Sequence, residues 1–120
     1  MINIKPLILQ TLELVPGVNQ VCYAWPDDFE DIPCITYKIE DNSVNTKTDK
    51  VEKLTNIRFQ IDVWTISASD NSTLAGLVDA MFQEMGFERN LYNDFKDGAY
   101  VHGVMKYHGV IDSRNNLVYQ

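Results

Sequence analysis

The sequence predicts an α+β fold of two layers, in which two helices lie on one face of a mainly antiparallel, four-stranded sheet. Apolar residues recur at helical spacing in the stretches 3–14 and 71–85. They alternate with polar residues in four further stretches, near 19–25, 33–41, 54–67 and 99–110. Each helix carries a single apolar stripe, so we expect both helices on the same sheet face, in the order αβββαβ.

Turn residues and the alternation of apolar and polar residues predict the first helix and the two strands that follow it. The first helix has Asn3 as a candidate N-cap and ends at the Pro16-Gly17 pair. In the two strands that follow, alternation places one set of apolar residues on one face. These residues are Val21, Tyr23 and Trp25 in the first strand, and Ile35, Tyr37 and Ile39 in the second.

Polar residues dominate the segment 41–53, DNSVNTKTDKVEK. Because this segment lies between two strands, we interpret it as a long hairpin arm on a single domain that spans residues 1–120. Its side chains cannot bury enough apolar surface to offset the entropy of ordering, so we expect an arm that is mobile in the isolated subunit and ordered on assembly. Its candidate contacts with a neighbouring subunit are Val44, Lys47, Lys50 and Val51.

The apolar alternation of NIRFQIDVWTIS, residues 56–67, changes step near its end. The odd-numbered residues from Ile57 to Val63 are apolar, whereas Trp64 and Ile66 point to the opposite face. Either a β-bulge near Val63 returns Trp64 to the core, or Trp64 and Ile66 form an apolar patch on the sheet face without helices. On the second interpretation, both residues belong to an oligomer interface.

The second helix is the most regular element of the sequence. Asp70 or Asn71 can cap its N-terminus, and Gly86 lies where the helix should end. Its apolar stripe consists of Leu74, Leu77, Val78, Met81, Phe82 and Met85. A loop containing Tyr, Asp and Gly then leads to the last strand, AYVHGVMKYHGVI, and the tail SRNNLVYQ either adds a short strand or lies loose.

Length and composition indicate one folded domain, with 120 residues of which 45% are apolar. No apolar run approaches the length of a membrane span, and the first residues do not resemble a signal peptide, so we expect a cytoplasmic protein that does not enter the membrane. A net charge of −7 argues against a protein that binds nucleic acid through its phosphates. It does not argue against a protein that DNA passes without being bound. Cys22 and Cys34 are interpreted as buried thiols, which would face each other in a hairpin centred on Asp28.

Recognisable catalytic motifs are lacking. The sequence contains no GxSxG, no glycine-rich phosphate loop and no HExxH. His102 and His108 share a strand face but lie roughly 20 Å apart along an extended chain, too far to share a metal. The acidic cluster Asp27, Asp28, Glu30 and Asp31 lacks the spacing of a calcium loop and is interpreted as a solvated turn. We therefore expect no enzyme activity, no metal and no cofactor.

Three consecutive features resemble the tail completion or tail terminator family of tailed bacteriophages. The first is a Pro-x-Ile-x-Tyr strand, here Pro33, Ile35 and Tyr37. The second is a polar arm followed by a long strand that ends near V-W-[ST], here Asp62, Val63, Trp64 and Thr65. The third is an amphipathic helix after a short turn, here Leu74 to Met85. In element order the resemblance covers about residues 1–110.

The resemblance implies a structural protein of the virion. Proteins of that family assemble as rings, usually hexamers, at the head-proximal end of the tail tube, where they stop its growth and dock onto the head connector. The implied partners are other copies of this chain, the tail tube protein and the head connector proteins, assembled in the bacterial cytoplasm. DNA would pass through the ring without tight binding, and Asp27, Asp28, Glu30 and Asp31 are candidates for an acidic lumen.

A second class of function fits the same composition. A small, acidic α+β protein could sequester a basic partner in the cytoplasm, as a binding or immunity-type protein does. Self-association separates the two classes, because a ring subunit should form higher-order species whereas an immunity-type protein usually acts as a monomer or dimer.

Overall fold

The computed structural model describes residues 1–48, 51–115 and 117–119. Two helices and six strands follow one another in the order αβββαβββ. Their bounds are α1 Lys5–Glu13, β1 Gln20–Tyr23, β2 Cys34–Thr48, β3 Val51–Thr65, α2 Ala68–Met85, β4 Glu88–Asp97, β5 Tyr100–Asp112 and β6 Val118–Tyr119.

One mixed sheet contains all six strands, in the spatial order β1-β2-β3-β5-β4, with β6 beside β5. β1 and β2 are parallel, and every other pair is antiparallel. The predicted fold class, a mainly antiparallel four-stranded sheet in αβββαβ order, is therefore wrong in strand number, element order and pairing. The loop predicted after the second helix is strand β4, which is held by its backbone pairing with β5 while most of its side chains stay exposed.

The parallel pairing of β1 and β2 results from the connection between them. Residues 24–33 carry the chain back to the starting end of β1, so β2 begins beside Gln20 and runs in the same direction. A hairpin centred on Asp28 does not form, and Cys34 pairs across the strands with Gln20 while Cys22 pairs with Thr36. Both cysteines are buried free thiols.

The thiol of Cys34 should be nearly inert in the folded chain. Burial, and next the neighbouring Cys22 thiol, raise its pKa to about 12, so at pH 8 very little of the reactive thiolate is present. We expect alkylation by iodoacetamide at pH 8 to be at least about tenfold slower for Cys34 in the native chain than in urea. Peptide mass spectrometry measures both rates, and equal rates would contradict the burial of this thiol.

The main core lies between the helices and the sheet face that carries the odd-numbered residues of β3. Phe59 is at its centre, with its ring centroid 5.0 Å from those of Phe82 and Phe87 and 5.3 Å from that of Tyr107. Both helices contribute to this one cluster, α1 through Ile8 and Leu12 and α2 through Leu74, Val78 and Phe82. The opposite sheet face receives neither helix.

The two helix N-termini differ from the predicted ones. The N-cap of α1 is Ile4, which makes no side-chain capping bond, so Asn3 is not the cap. The N-cap of α2 is Ser67, whose hydroxyl accepts a hydrogen bond of 3.1 Å from the backbone N–H of Asp70. α2 ends at Gly86, whose φ of 106° falls in the left-handed region that glycine adopts without strain.

The polar arm consists of paired strands in the described residues. β2 and β3 remain paired as far as Thr48 and Val51, with register shifts near Asp41, Thr46 and Lys47. The backbone groups on the facing edges of the two strands thus find partners, although the side chains of the arm bury little. The expected ordering on assembly stays a prediction. Limited proteolysis tests it, because cleavage at Lys47 and Lys53 should be fast in the free subunit and slow in the assembly.

Candidate assembly surface

The broad sheet face opposite the helices, here called the helix-free face, carries Trp64, one of the predicted interface residues. Across the sheet, Phe95 of β4, His102 of β5, Trp64 of β3 and Cys34 of β2 occupy one register row. The next row contains Asp62 and its neighbours on β5 and β2. Alternation along the strands places these side chains away from the helical layer.

Trp64 is buried on the helix-free face, with 2% of its surface exposed. Its indole N–H donates a 3.2 Å hydrogen bond to the hydroxyl of Thr36, and its ring stacks on His102 at 3.7 Å between centroids. Trp25 and Phe29, from the β1–β2 connection, lie 6.1 and 5.5 Å from the same indole. Trp64 thus belongs to a second, smaller core that the connection covers.

This arrangement agrees with the second interpretation in placing Trp64 on the sheet face without helices, and differs from both in how the residue is buried. The β3–β5 register runs without a shift from Leu54 to Thr65, so no bulge returns Trp64 to the helical side. Nor is Trp64 part of an exposed patch, since the connection at residues 24–33 covers it. Sequence reasoning missed this cover because Trp25 and Phe29 are separated from Trp64 by more than thirty positions. Whether Trp64 contributes to an interface remains a prediction.

Several apolar side chains around Trp64 do reach the surface. Ile66 is 63% exposed, Trp25 64% and Phe95 49%. The ring centroid of Phe95 lies 5.0 Å from that of His102, which itself stacks on Trp64. An apolar surface of this kind is typical of a contact with another chain.

The acidic residues Asp27, Asp28, Glu30 and Asp31 are exposed on the connection that covers Trp64. The Asp28 carboxylate accepts a 2.9 Å hydrogen bond from the backbone N–H of Glu30. The side-chain amide of Gln20 donates to the carbonyl oxygens of Asp28 and Asp31, which ties the connection to β1. These bonds hold four carboxylates at one end of the helix-free face, beside the exposed aromatic residues.

On the same face, the half-buried His102 lies beside the buried Asp62. The imidazole Nε2 lies 3.5 Å from an Asp62 carboxylate oxygen, which also accepts a 2.8 Å hydrogen bond from Gln60. Across the described ranges, no group of three or more His, Cys, Asp or Glu side chains is placed to hold a metal ion.

The arm contributes an exposed Val44 and an exposed Lys47 to the surface. Lys50 and the side chain of Val51, the other two predicted contacts, lie outside the described residues. Val44 and Lys47 stand at the far end of the β2–β3 hairpin from Trp64 and Ile66. The structure therefore does not bring the predicted interface residues together into one patch within a subunit.

Asn71 is a structural residue that the sequence pattern did not reveal. It is fully buried, and its amide N–H groups donate to the carbonyl oxygens of Val63 and Val101, at 2.9 and 3.1 Å. Its carbonyl oxygen accepts a 2.8 Å hydrogen bond from the hydroxyl of Tyr92. One side chain thus connects α2 to strands β3, β4 and β5. The sequence feature that could have indicated this role is a polar residue at a position of α2 that faces the core.

Asn71→Ala should lower the free energy of unfolding by about 2 kcal/mol, because it leaves buried carbonyl groups without a donor. Asn93→Ala, an exposed Asn on β4, is the matched control and should change the stability by less than about 0.5 kcal/mol. Urea denaturation followed by circular dichroism gives both values. Equal effects of the two substitutions would mean that Asn71 does not hold the helix to the sheet.

None of the described helices is both long and apolar enough to cross a membrane. The class that the fold and the surface define is a two-layer α+β protein whose two helices pack on one face of a mixed sheet. No protein-family model and no curated protein matches the sequence. Among solved structures, the chain is similar to the bacteriophage SPP1 gp17 protein, with a TM-score of 0.56 and 18% identity over 94% of this chain and 90% of that chain. At this identity the similarity shows a shared fold.

Proposed function

We propose that this chain is a structural subunit of a bacteriophage or prophage tail. The observation that carries the proposal is the fold shared with a bacteriophage protein along nearly the whole of both chains. The sequence resemblance to tail completion and tail terminator proteins, through Pro33, Ile35, Tyr37 and the strand that ends near Trp64, supports it from a separate direction. The subunit has no catalytic role in this proposal.

The specific role that we propose is that of a ring, a hexamer as in the resembling family, at the head-proximal end of the tail tube. The ring ends tube growth and offers a docking surface to the head connector. Its partners are copies of itself, the tail tube protein and connector proteins, and its place is the virion. An open sheet face and exposed apolar residues such as Trp25 and Ile66 support this role, because a subunit in a permanent assembly needs surfaces to bury.

In this proposal the genome passes through the ring, so the lumen must not retain DNA by its phosphates. The acidic connection at Asp27, Asp28, Glu30 and Asp31 lies on the helix-free face, where acidic side chains outnumber Lys38, Arg58 and Lys106. Lys106 is also paired with Glu40 at 3.2 Å. A lumen formed by this face would therefore carry net negative charge.

Electron microscopy of the purified protein at high concentration tests the ring. We expect particles with rotational symmetry and a central channel. Compact particles of a single size without a channel, at every concentration, would contradict the proposed function.

A gel-shift titration with duplex DNA at physiological salt tests the lumen. We expect no shifted band, because carboxylates facing the duplex repel its phosphates. Tight binding would contradict a conduit and favour a nucleic-acid-binding role.

The second candidate function, an immunity-type protein that sequesters a basic partner, is supported by one particular surface. The exposed aromatic residues Trp25, Phe29 and Phe95 adjoin the acidic connection, and aromatic residues are enriched at protein interfaces. A protein of that class would remain a monomer or dimer in the microscopy experiment. The same result thus separates the two candidates.

A further inference from the structure

One edge of the sheet carries a long stretch of strand without a neighbour. β2 is 15 residues long, and β1 pairs only with its first part, from Cys34 to Tyr37. From residue 38 to residue 48, β2 pairs with β3 alone among the strands that the structure describes. The backbone groups on the outer edge of this stretch therefore have no strand partner among the described residues.

The other edge of the sheet is formed by β4, which is 10 residues long and pairs only with β5 across the described part of the chain. Most of its side chains are exposed. The unpaired edges of β2 and β4 are thus similar in length and lie on opposite sides of the same sheet. Long unpaired edges are liabilities in a monomer, because they offer a template for another strand.

The directions of the strands make the two edges complementary. β2 is antiparallel to β3, β3 to β5, and β5 to β4, so β4 runs opposite to β2. When a second copy stands beside the first in the same orientation, its β4 therefore meets the first copy's β2 as an antiparallel pair. The same contact can be repeated by every further copy.

We propose that copies of this chain assemble by pairing the outer edge of β4 with the outer edge of β2, residues 38–48, of the next copy. This inference rests on the proposed ring function and deepens it by naming the interface. The contact is head-to-tail, since it joins two different surfaces, and a head-to-tail contact closes into a ring when its rotation divides the circle. In a closed ring, each copy covers the outer edge of its β4 and the outer edge of residues 38–48 of its β2.

Such pairing also fixes which face lines the channel. All copies keep their helices on the same side of the continuous sheet, and the bulkier helical layer fits on the outside, where the circumference is larger. The helix-free face then lines the lumen. β2 has register shifts near Asp41 and Thr46, and β4 has one near Arg89. Irregularities of this kind are common at the rims of closed sheets, where they bend a strand and increase its twist.

Hydrogen–deuterium exchange compares the assembled protein with the subunit, separated by dilution. We expect amides in 38–48 and in 88–97 to exchange at least about tenfold more slowly in the assembly. Amides of β3, which already have two neighbours, serve as the internal control and should change little. An assembly in which either edge exchanges as fast as in the subunit would overturn the pairing.

Mixing two blocked variants tests that the contact is head-to-tail. Adjacent amides of a strand point to opposite edges, so proline is placed at Asn93 and at Asp94 in turn on β4, and at Ser43 and at Val44 in turn on β2. In each adjacent pair, one proline removes an amide that pairs inside the sheet, and the other removes an amide that points to the outer edge. The variant that keeps the native circular dichroism spectrum is the second of these, here called edge-blocked. We expect each blocked variant to be monomeric alone and the mixture of a β4-blocked and a β2-blocked variant to form a dimer.

The outcomes separate this proposal from the proposed function. Rings that form in both blocked variants overturn the edge pairing and leave the ring function standing. A native chain that stays monomeric at all concentrations overturns both. Monomeric blocked variants whose mixture also stays monomeric exclude a head-to-tail contact through these edges.

Discussion

Trp64→Ala should lower the free energy of unfolding by about 3–5 kcal/mol, the range typical of removing a buried aromatic side chain. The expected loss has three sources. The indole fills the space beneath Trp25 and Phe29, it stacks on His102, and its N–H satisfies the hydroxyl of Thr36. Alanine removes the packing and leaves a cavity under the β1–β2 connection.

Trp25→Ala is the matched control, since Trp25 lies in the same cluster but is 64% exposed. We expect it to cost about 1 kcal/mol or less, because little of its surface leaves water on folding. Urea denaturation of both variants gives the comparison. A Trp64→Ala variant as stable as the native chain would mean that the connection does not cover this residue, and would return Trp64 to the list of surface contacts.

Phe59→Ala should cost a similar amount, about 3–5 kcal/mol, through the main core on the helical side. Its ring touches the rings of Phe82, Phe87 and Tyr107, which come from α2, from the residue after Gly86 and from β5. The cavity left by alanine would therefore loosen the contact between the second helix and the centre of the sheet.

Phe95→Ala is the control for this second substitution, because Phe95 is 49% exposed at the end of β4. Its effect on the free energy of unfolding should be about 1 kcal/mol or smaller. Thermal and urea denaturation of the two variants measure the difference. Equal losses would contradict the placement of Phe59 at the centre of the core.

The elements predicted best are those that bury one face, because burial leaves a regular pattern of apolar residues in the sequence. Strand β3 shows the strict alternation from Ile57 to Val63, and α2 shows the stripe from Leu74 to Phe82, because each element buries one face against a packed layer. Strand β4 has no such pattern. It forms the edge of the sheet, is held by backbone hydrogen bonds to β5 and exposes most of its side chains, so its sequence resembles that of a loop.

The remaining differences come from contacts between distant parts of the chain. The direction of β2 depends on how residues 24–33 return beside β1, and the burial of Trp64 depends on the same connection. Asn71 looks like a helix cap because asparagine favours that position, yet its partners are carbonyl groups of β3 and β5. Parity in a single strand cannot reveal such partners.

The measurement that tests the account most directly is the mass of the native protein in solution over a wide range of concentrations. The subunit mass is 13.8 kDa. Because a ring gains its last contact only on closure, we expect sedimentation equilibrium to show the subunit and one large closed species, with few intermediates between them. A protein that stays at the mass of a monomer or dimer up to millimolar concentration would contradict the ring, and with it the proposed place of this chain in a phage tail.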